Sequence, residues 1–191
     1  MAKSNLNTGL TDIRGKISDW IYREQRGRTV ISKVTNKPLR EPTPGQQQVR
    51  DQFKTAAGYA SLVMTDPVLR PIYERAAKEQ DKPIFALALA DYYKSPVVTL
   101  IKSDGYTGKV GDKIVVAASD DIEVASVTVV LRHTDDTVIE QGKTVKVGNG
   151  WEYTATTVVP VGQAIKIEAT AKDHPGNEGM LQRPITVSSG P

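Results

Sequence analysis

The chain has 191 residues, 39% of them apolar and 25% charged, with a net charge of +3 and no cysteine. That balance belongs to a folded globular protein with room for one or two domains. It excludes a disulfide framework, a zinc–thiolate centre and a thiol nucleophile, and no apolar run is long enough to span a membrane.

Residues 1–14 carry little pattern beyond the turn signal Asn7-Thr8-Gly9, and they predict an arm ordered by contact with a neighbour. The segment lacks the apolar core of a secretory signal, so the expected location is the cytoplasm or an assembled particle. Next come two predicted strands, Ile17–Gln25 and Arg28–Val34, joined at Arg26-Gly27. They are rich in β-branched and aromatic residues, and Gly27 can supply the positive φ of a short hairpin turn. A two-stranded hairpin is marginal in water by itself, so this one needs support from the helices that follow or from another copy of the chain.

Residues 36–45 hold three prolines and predict a stiff linker, ending in Thr43 as N-cap and Pro44 at the first helical position. A first helix is expected from Pro44 to Met64, with Val49, Phe53, Ala56, Ala60 and Met64 as its apolar stripe. Thr65-Asp66-Pro67 closes it. A second helix runs to Gln80, starting at Pro67 or Pro71, with Ile72, Tyr73 and Ala76 inward and a turn or kink at Pro71. After the break at Asp81-Lys82-Pro83, a third helix over 83–94 is apolar on more than one side: Ile84, Phe85, Leu87, Ala88, Leu89, Tyr92 and Tyr93.

Beyond Pro96 the apolar period changes to two. Seven short strands are predicted: 97–102, 113–119, 124–133, 137–141, 151–158, 164–173 and 183–187, separated by Gly-, Asp- and Asn-rich turns. The fold class is therefore an α+β N-terminal unit, hairpin plus three helices over 1–96, followed by an all-β immunoglobulin-like sandwich over 97–191. Charge is uneven. Residues 1–50 carry +6, residues 51–96 are neutral and residues 97–191 carry −3. A basic head with a mildly acidic tail suits head-to-tail association or an acidic partner.

The stretches AASDDIEVASVTVVL (117–131), WEYTAT (151–156) and IEATAKDHPGNEG (167–179) resemble bacterial Ig-like modules of the Big type. Ala171, Asp173, Gly176 and Asn177 match the Ala-x-Asp-x-x-Gly-Asn pattern near the sixth strand of those modules. The resemblance covers the C-terminal half and implies a fold, not a ligand. The stretches GKISDWIYREQRGRTVISK and TPGQQQVRDQFKTAA are similar to small uncharacterised proteins of Bacteroidota and their phages, which implies no activity.

Chemistry is sparse. His133 and His174 have no nucleophile in a recognisable motif, and no phosphate loop, HExxH or paired-carboxylate signature occurs. The expectation is no enzyme, no cofactor and no metal. Asp120, Asp121, Asp173 and Asn177 are oxygen ligands at strand ends, but such residues commonly stabilise turns instead.

The favoured role is a non-enzymatic structural subunit of a repetitive assembly: a virion component, filament or sheath-like particle. Its partner is another copy of the chain, together with other particle proteins. Trp20, Ile21 and Tyr22 are the expected buried anchors of self-association, and Arg23, Arg26 and Arg28 its polar contacts. The Ig-like module would be a spacer or adhesive surface. The alternative is nucleic-acid binding through Arg14, Lys16, Arg23, Arg26, Arg28 and Lys33 beside the aromatic residues.

Overall fold

The computed structural model describes residues 14–25, 28–34 and 41–189. The expected arm, the Arg26-Gly27 turn and linker residues 36–40 lie outside the described residues. The chain divides into two compact units, Met1–Gly45 and Gln46–Pro191. The sequence reading divides it after residue 96. In the structure the helices group with the strands that follow them.

The described part of the first unit is an antiparallel three-stranded sheet in the order β1 (Gly15–Ile17), β2 (Trp20–Gln25), β3 (Arg28–Lys33). The expected first strand is thus two strands. Ser18 adopts φ 52° and turns the chain with Asp19, so that Ile17 pairs with Trp20. The Asp19 carbonyl accepts the Val34 amide at 2.6 Å. A polar Ser-Asp pair between strand-forming neighbours, Ile17 and Trp20, is a turn signal, because both side chains compete for backbone hydrogen bonds.

In the second unit, α1 (Pro44–Thr65) begins at the expected proline. Its buried residues are Ala56, Ala60 and Val63, whereas Val49 and Phe53 are exposed. The long stripe read from the sequence therefore packs only along its C-terminal half. Asp66 Oδ1 accepts the amides of Val68 and Leu69 at 2.8 and 2.9 Å, which caps α2 (Leu69–Gln80). Pro71 falls in the first turn of α2, where its missing N–H costs no intrahelical bond. Asp81, at φ 49°, ends that helix. Helix α3 (Ile84–Asp91) is shorter than expected, with Tyr92 at its C-cap. It buries Leu87, Ala88 and Asp91 and leaves Phe85 and Tyr93 exposed, so it is covered on one side. Ala60, Val63, Tyr73, Ala76, Leu87 and Ala88 form the helical core, and Ile122 from the strand region packs into it.

Two four-stranded antiparallel sheets follow. One has the order β4 (Val97–Lys102), β5 (Lys113–Ser119), β9 (Gly150–Thr154), β8 (Val145–Val147). The other has the order β11 (Glu178–Thr186), β10 (Ala164–Lys172), β6 (Ser126–His133), β7 (Val138–Lys143). Alternate residues of both sheets share one core: Ile114 and Val116; Val127, Val129 and Leu131; Trp151 and Tyr153; Ile165, Ile167, Ala169 and Ala171. The buried pair on β4, Val98 and Ile101, is three residues apart because a bulge shifts the register between Val98 and Leu100. Pro184 is tolerated because β11 is an edge strand. The sequence reading missed β8, whose three residues are all exposed and too short to show alternation. Among the described residues, no helix is long and apolar enough to cross a membrane.

Candidate functional site

The two faces of the N-terminal sheet differ in their mix: three of the large apolar side chains exposed on it share one face with Glu24 and Lys33, and three basic residues share the other with Ile21 and Val30. Directly paired residues share a face and successive residues alternate. The register therefore puts Ile17, Trp20, Tyr22 and Ile31 on one face and Lys16, Ile21, Arg23, Arg28 and Val30 on the other. Ile17 is 50% exposed, Trp20 45% and Ile31 44%. Ile21 and Tyr22 are half-buried, and none of the described residues of this sheet is buried.

This geometry splits both sets of candidates. Of the expected self-association residues, Trp20 and Tyr22 lie on the apolar face, while Ile21, Arg23 and Arg28 lie on the basic one. Arg26 is outside the described residues. Of the nucleic-acid candidates, Lys16, Arg23 and Arg28 share the basic face. Lys33 pairs with Trp20 and takes the opposite face, and Arg14 forms an ion pair with Glu24. Ile17 and Ile31 complete the apolar face and were not singled out from the sequence. The signal was available: once Ser18-Asp19 is read as a turn, Ile17 falls opposite Trp20, and pairing Gln25 with Arg28 already sets Ile31 opposite Tyr22.

A second cluster lies where α3 ends against two turns of the strand region. Asp91 closes α3, Asp120 follows β5 and Asp173 follows β10. One carboxylate oxygen from each lies within 4.8 Å of the others. Asp91 is 2% exposed and Asp173 3%. Tyr73 donates its hydroxyl to Asp91 Oδ2 at 2.5 Å, and Tyr59 and Tyr73 share a hydrogen bond of 2.8 Å. Asp91 Oδ1 and both oxygens of Asp120 are buried without a hydrogen-bond partner.

The electrostatics follow from burial. Desolvation pushes the Asp91 carboxyl up to about 7, the Tyr73 bond pulls the other way, and the carboxylates of Asp120, Asp173 and Asp121 push it further up. Asp120 is also raised by burial, although the nearby amides of Asp121 and Ile122 oppose the shift. Burial raises Tyr59 to about 12 and raises Tyr73 further, the latter also through its bond to Asp91.

Asp173 and Asn177, singled out from the sequence as turn residues, do what turn-stabilising residues do. Asp173 Oδ1 accepts the amides of Gly176 and Asn177 at 2.7 and 2.6 Å. Asn177 Nδ2 donates to Asp173 Oδ2 at 2.8 Å and to the Lys94 carbonyl at 2.8 Å, with the Asp91 and Tyr92 carbonyls at 3.3 Å. This side chain ties the β10–β11 turn to the carbonyl end of α3. Asp121 pairs with Lys94 and is not in the three-carboxylate cluster. The sequence reading missed Asp91. The available signal was a lone acid ending an apolar helix, where the helix dipole disfavours negative charge. His133 ends β6 and bonds Gln163 through Nδ1 at 2.8 Å, and His174 occupies the β10–β11 turn.

No protein-family model matches the chain, and neither does any curated protein. Solved structures that match include a conjugative transposon lipoprotein from Bacteroides eggerthii. It is 10% identical, and the alignment covers 48% of this chain and 94% of that one with a TM-score of 0.27.

Proposed function

We propose that this chain is a non-enzymatic structural subunit that associates with copies of itself through its N-terminal sheet, as the building block of a virion component, filament or sheath-like particle. One observation carries the reading. Ile17, Trp20 and Ile31 stand together on one face of a three-stranded sheet, each at least 44% exposed. A small sheet with an apolar face gains its stability by burying that face, at about 25 cal/mol per Å². Residues 97–191 serve in this reading as an Ig-like sandwich acting as a spacer. The orders β4-β5-β9-β8 and β11-β10-β6-β7 around one core support that assignment, since they follow the A-B-E-D and G-F-C-C′ arrangement.

The segregation of Lys16, Arg23 and Arg28 onto the other face favours one second reading, nucleic-acid binding through phosphate contacts. Face-specific substitutions separate the two. Light scattering and negative-stain microscopy of the full chain should show oligomers or polymers. Trp20→Ser with Ile31→Ser should weaken association by thirtyfold or more, roughly the loss of a hot-spot residue. Arg23→Glu with Arg28→Glu should leave it nearly intact. A wild-type chain that stays monomeric, and carries nucleic acid that high salt or the arginine variant releases, would replace the first reading with the second.

A further inference from the structure

We propose that Asp91, Asp120 and Asp173 form a binding site for a divalent cation of the calcium type, which ties the end of α3 to the turns after β5 and β10. The inference is independent of self-association. Calcium–oxygen bonds of 2.3–2.6 Å allow two ligands of one ion to stand up to about 5 Å apart. The three carboxylate oxygens, within 4.8 Å of one another, meet that limit. Proximity of acids is not enough by itself. The further observation is that Asp91, only 2% exposed, directs a carboxylate into the cluster whose Oδ1 has no hydrogen-bond partner. Both oxygens of Asp120 are also shielded from solvent, approached only by the neighbouring amides of Asp121 and Ile122. Buried acceptors are satisfied almost everywhere in folded proteins, and a buried carboxylate without a donor is costly. A buried Asp91 oxygen without a donor, in a cluster where three carboxylates approach within 4.8 Å, is what a cation would satisfy.

The surroundings fit. Asp173 is fixed by the Gly176 and Asn177 amides and by Asn177 Nδ2, and Asp91 is held by the Tyr73 hydroxyl, so hydrogen bonds outside the site orient two of the three ligands. Lys94, whose charge is felt at Asp91 and Asp120, pairs with Asp121. Asp120 lines a pocket of about 300 Å³ with Lys94, Ser95, Val97, Ser119 and Asp121, which gives an ion and its remaining waters a way in. An all-oxygen, carboxylate-rich donor set suits a hard cation and not zinc or copper.

The test uses the full chain, stripped with a chelator and titrated with calcium chloride and, separately, magnesium chloride by isothermal calorimetry at neutral pH. One calcium per chain is expected, with Kd in the range of about 0.1–1 mM typical of weak modules. Magnesium should bind more weakly. At tenfold excess over Kd, calcium should raise the melting temperature by about 4 °C. Asp120→Asn removes a ligand while leaving the Tyr73–Asp91 bond in place. It should weaken calcium binding at least about tenfold, and its metal-free melting temperature should not fall. Two results overturn the proposal. One is no calcium heat up to about 10 mM with the same melting temperature in calcium and chelator, which means the carboxyls share a proton instead. The other is an Asp120→Asn variant that folds and binds calcium as tightly as wild type, which places the ion elsewhere.

Discussion

The sheet of residues 15–33 and the paired sheets of residues 97–186 are made of similar material and reach opposite outcomes. Both are rich in β-branched and aromatic residues, although in the N-terminal strands these run together at 20–22 and 29–31. In the paired sheets the apolar face of each meets the apolar face of the other, and Ile114, Val116, Val129, Leu131, Ile165 and Ile167 are almost wholly buried. In the N-terminal sheet the two-residue period of the strands gathers Ile17, Trp20 and Ile31 on one face, where they stay half in solvent. Alternation fixes which residues share a face, but burial requires a second layer to cover it.

The largest expected effect measures that difference directly. Leu131→Ala empties space in a fully buried position and should cost about 3 kcal/mol of unfolding free energy, within the usual range for such truncations. Ile31→Ala, at 44% exposure, should cost less than about 0.5 kcal/mol in dilute monomer. Urea unfolding followed by circular dichroism gives both numbers. If Ile31→Ala costs as much as Leu131→Ala, the N-terminal sheet is already covered within one chain, and the contrast disappears together with the self-association reading.

A middle-sized effect concerns the carboxylates where helices and strands meet. With Asp91 held near 7, well above an unfolded aspartate, the folded state binds a proton that the unfolded state releases. This contribution is fully present below about pH 4 and is lost as the pH rises through 7. In chelator, stability should therefore fall by about 2 kcal/mol between pH 5 and 7.5. The groups facing Asp91 are Tyr59 and Tyr73 from the helices, Asp120, Asp121 and Asp173 from the turns, and Lys94. Asp66, Asp112 and Asp135 are shifted downward and act with the opposite sign, but only in more acidic solution. Asp91→Asn should flatten the slope between pH 5 and 7.5, as read from melting temperature against pH. An unchanged slope would assign it to other groups.

These contrasts also show what was legible in the sequence. Strands β5, β6 and β10 were readable nearly to the residue, because each alternates cleanly against a core that lies along its whole length. The start of α1 was readable from Pro44, whose effect is local, whereas α2 begins at Leu69, between the two prolines that offered themselves as its start. What escaped depended on distant neighbours or on very short elements. The exposure of Val49 and Phe53 reflects where packing on α1 begins, which no local pattern records. Strand β8 is three residues long. The carboxylate cluster joins positions 91, 120 and 173, and only the fold brings them together. Asp120 and Asp173 stood out as turn acids. Asp91 was hidden because its helix reads as uniformly apolar.

The smallest expected effect lies on α1. Val49 is 64% exposed and Phe53 53%, one turn apart on the half of the helix that precedes its buried residues. Phe53→Ser should alter unfolding free energy by no more than about 0.5 kcal/mol, since little burial is lost. Ala60→Ser, which places a hydroxyl at a fully buried position, should cost about 1–3 kcal/mol unless the hydroxyl finds a backbone carbonyl one turn back. Sedimentation of the Phe53 variant sharpens the comparison between covered and uncovered surfaces. If association depends on the N-terminal sheet alone, the variant sediments like wild type at every concentration. A shift toward monomer would extend the associating surface onto the start of α1, because Phe53 would then be a residue that only a neighbouring copy covers.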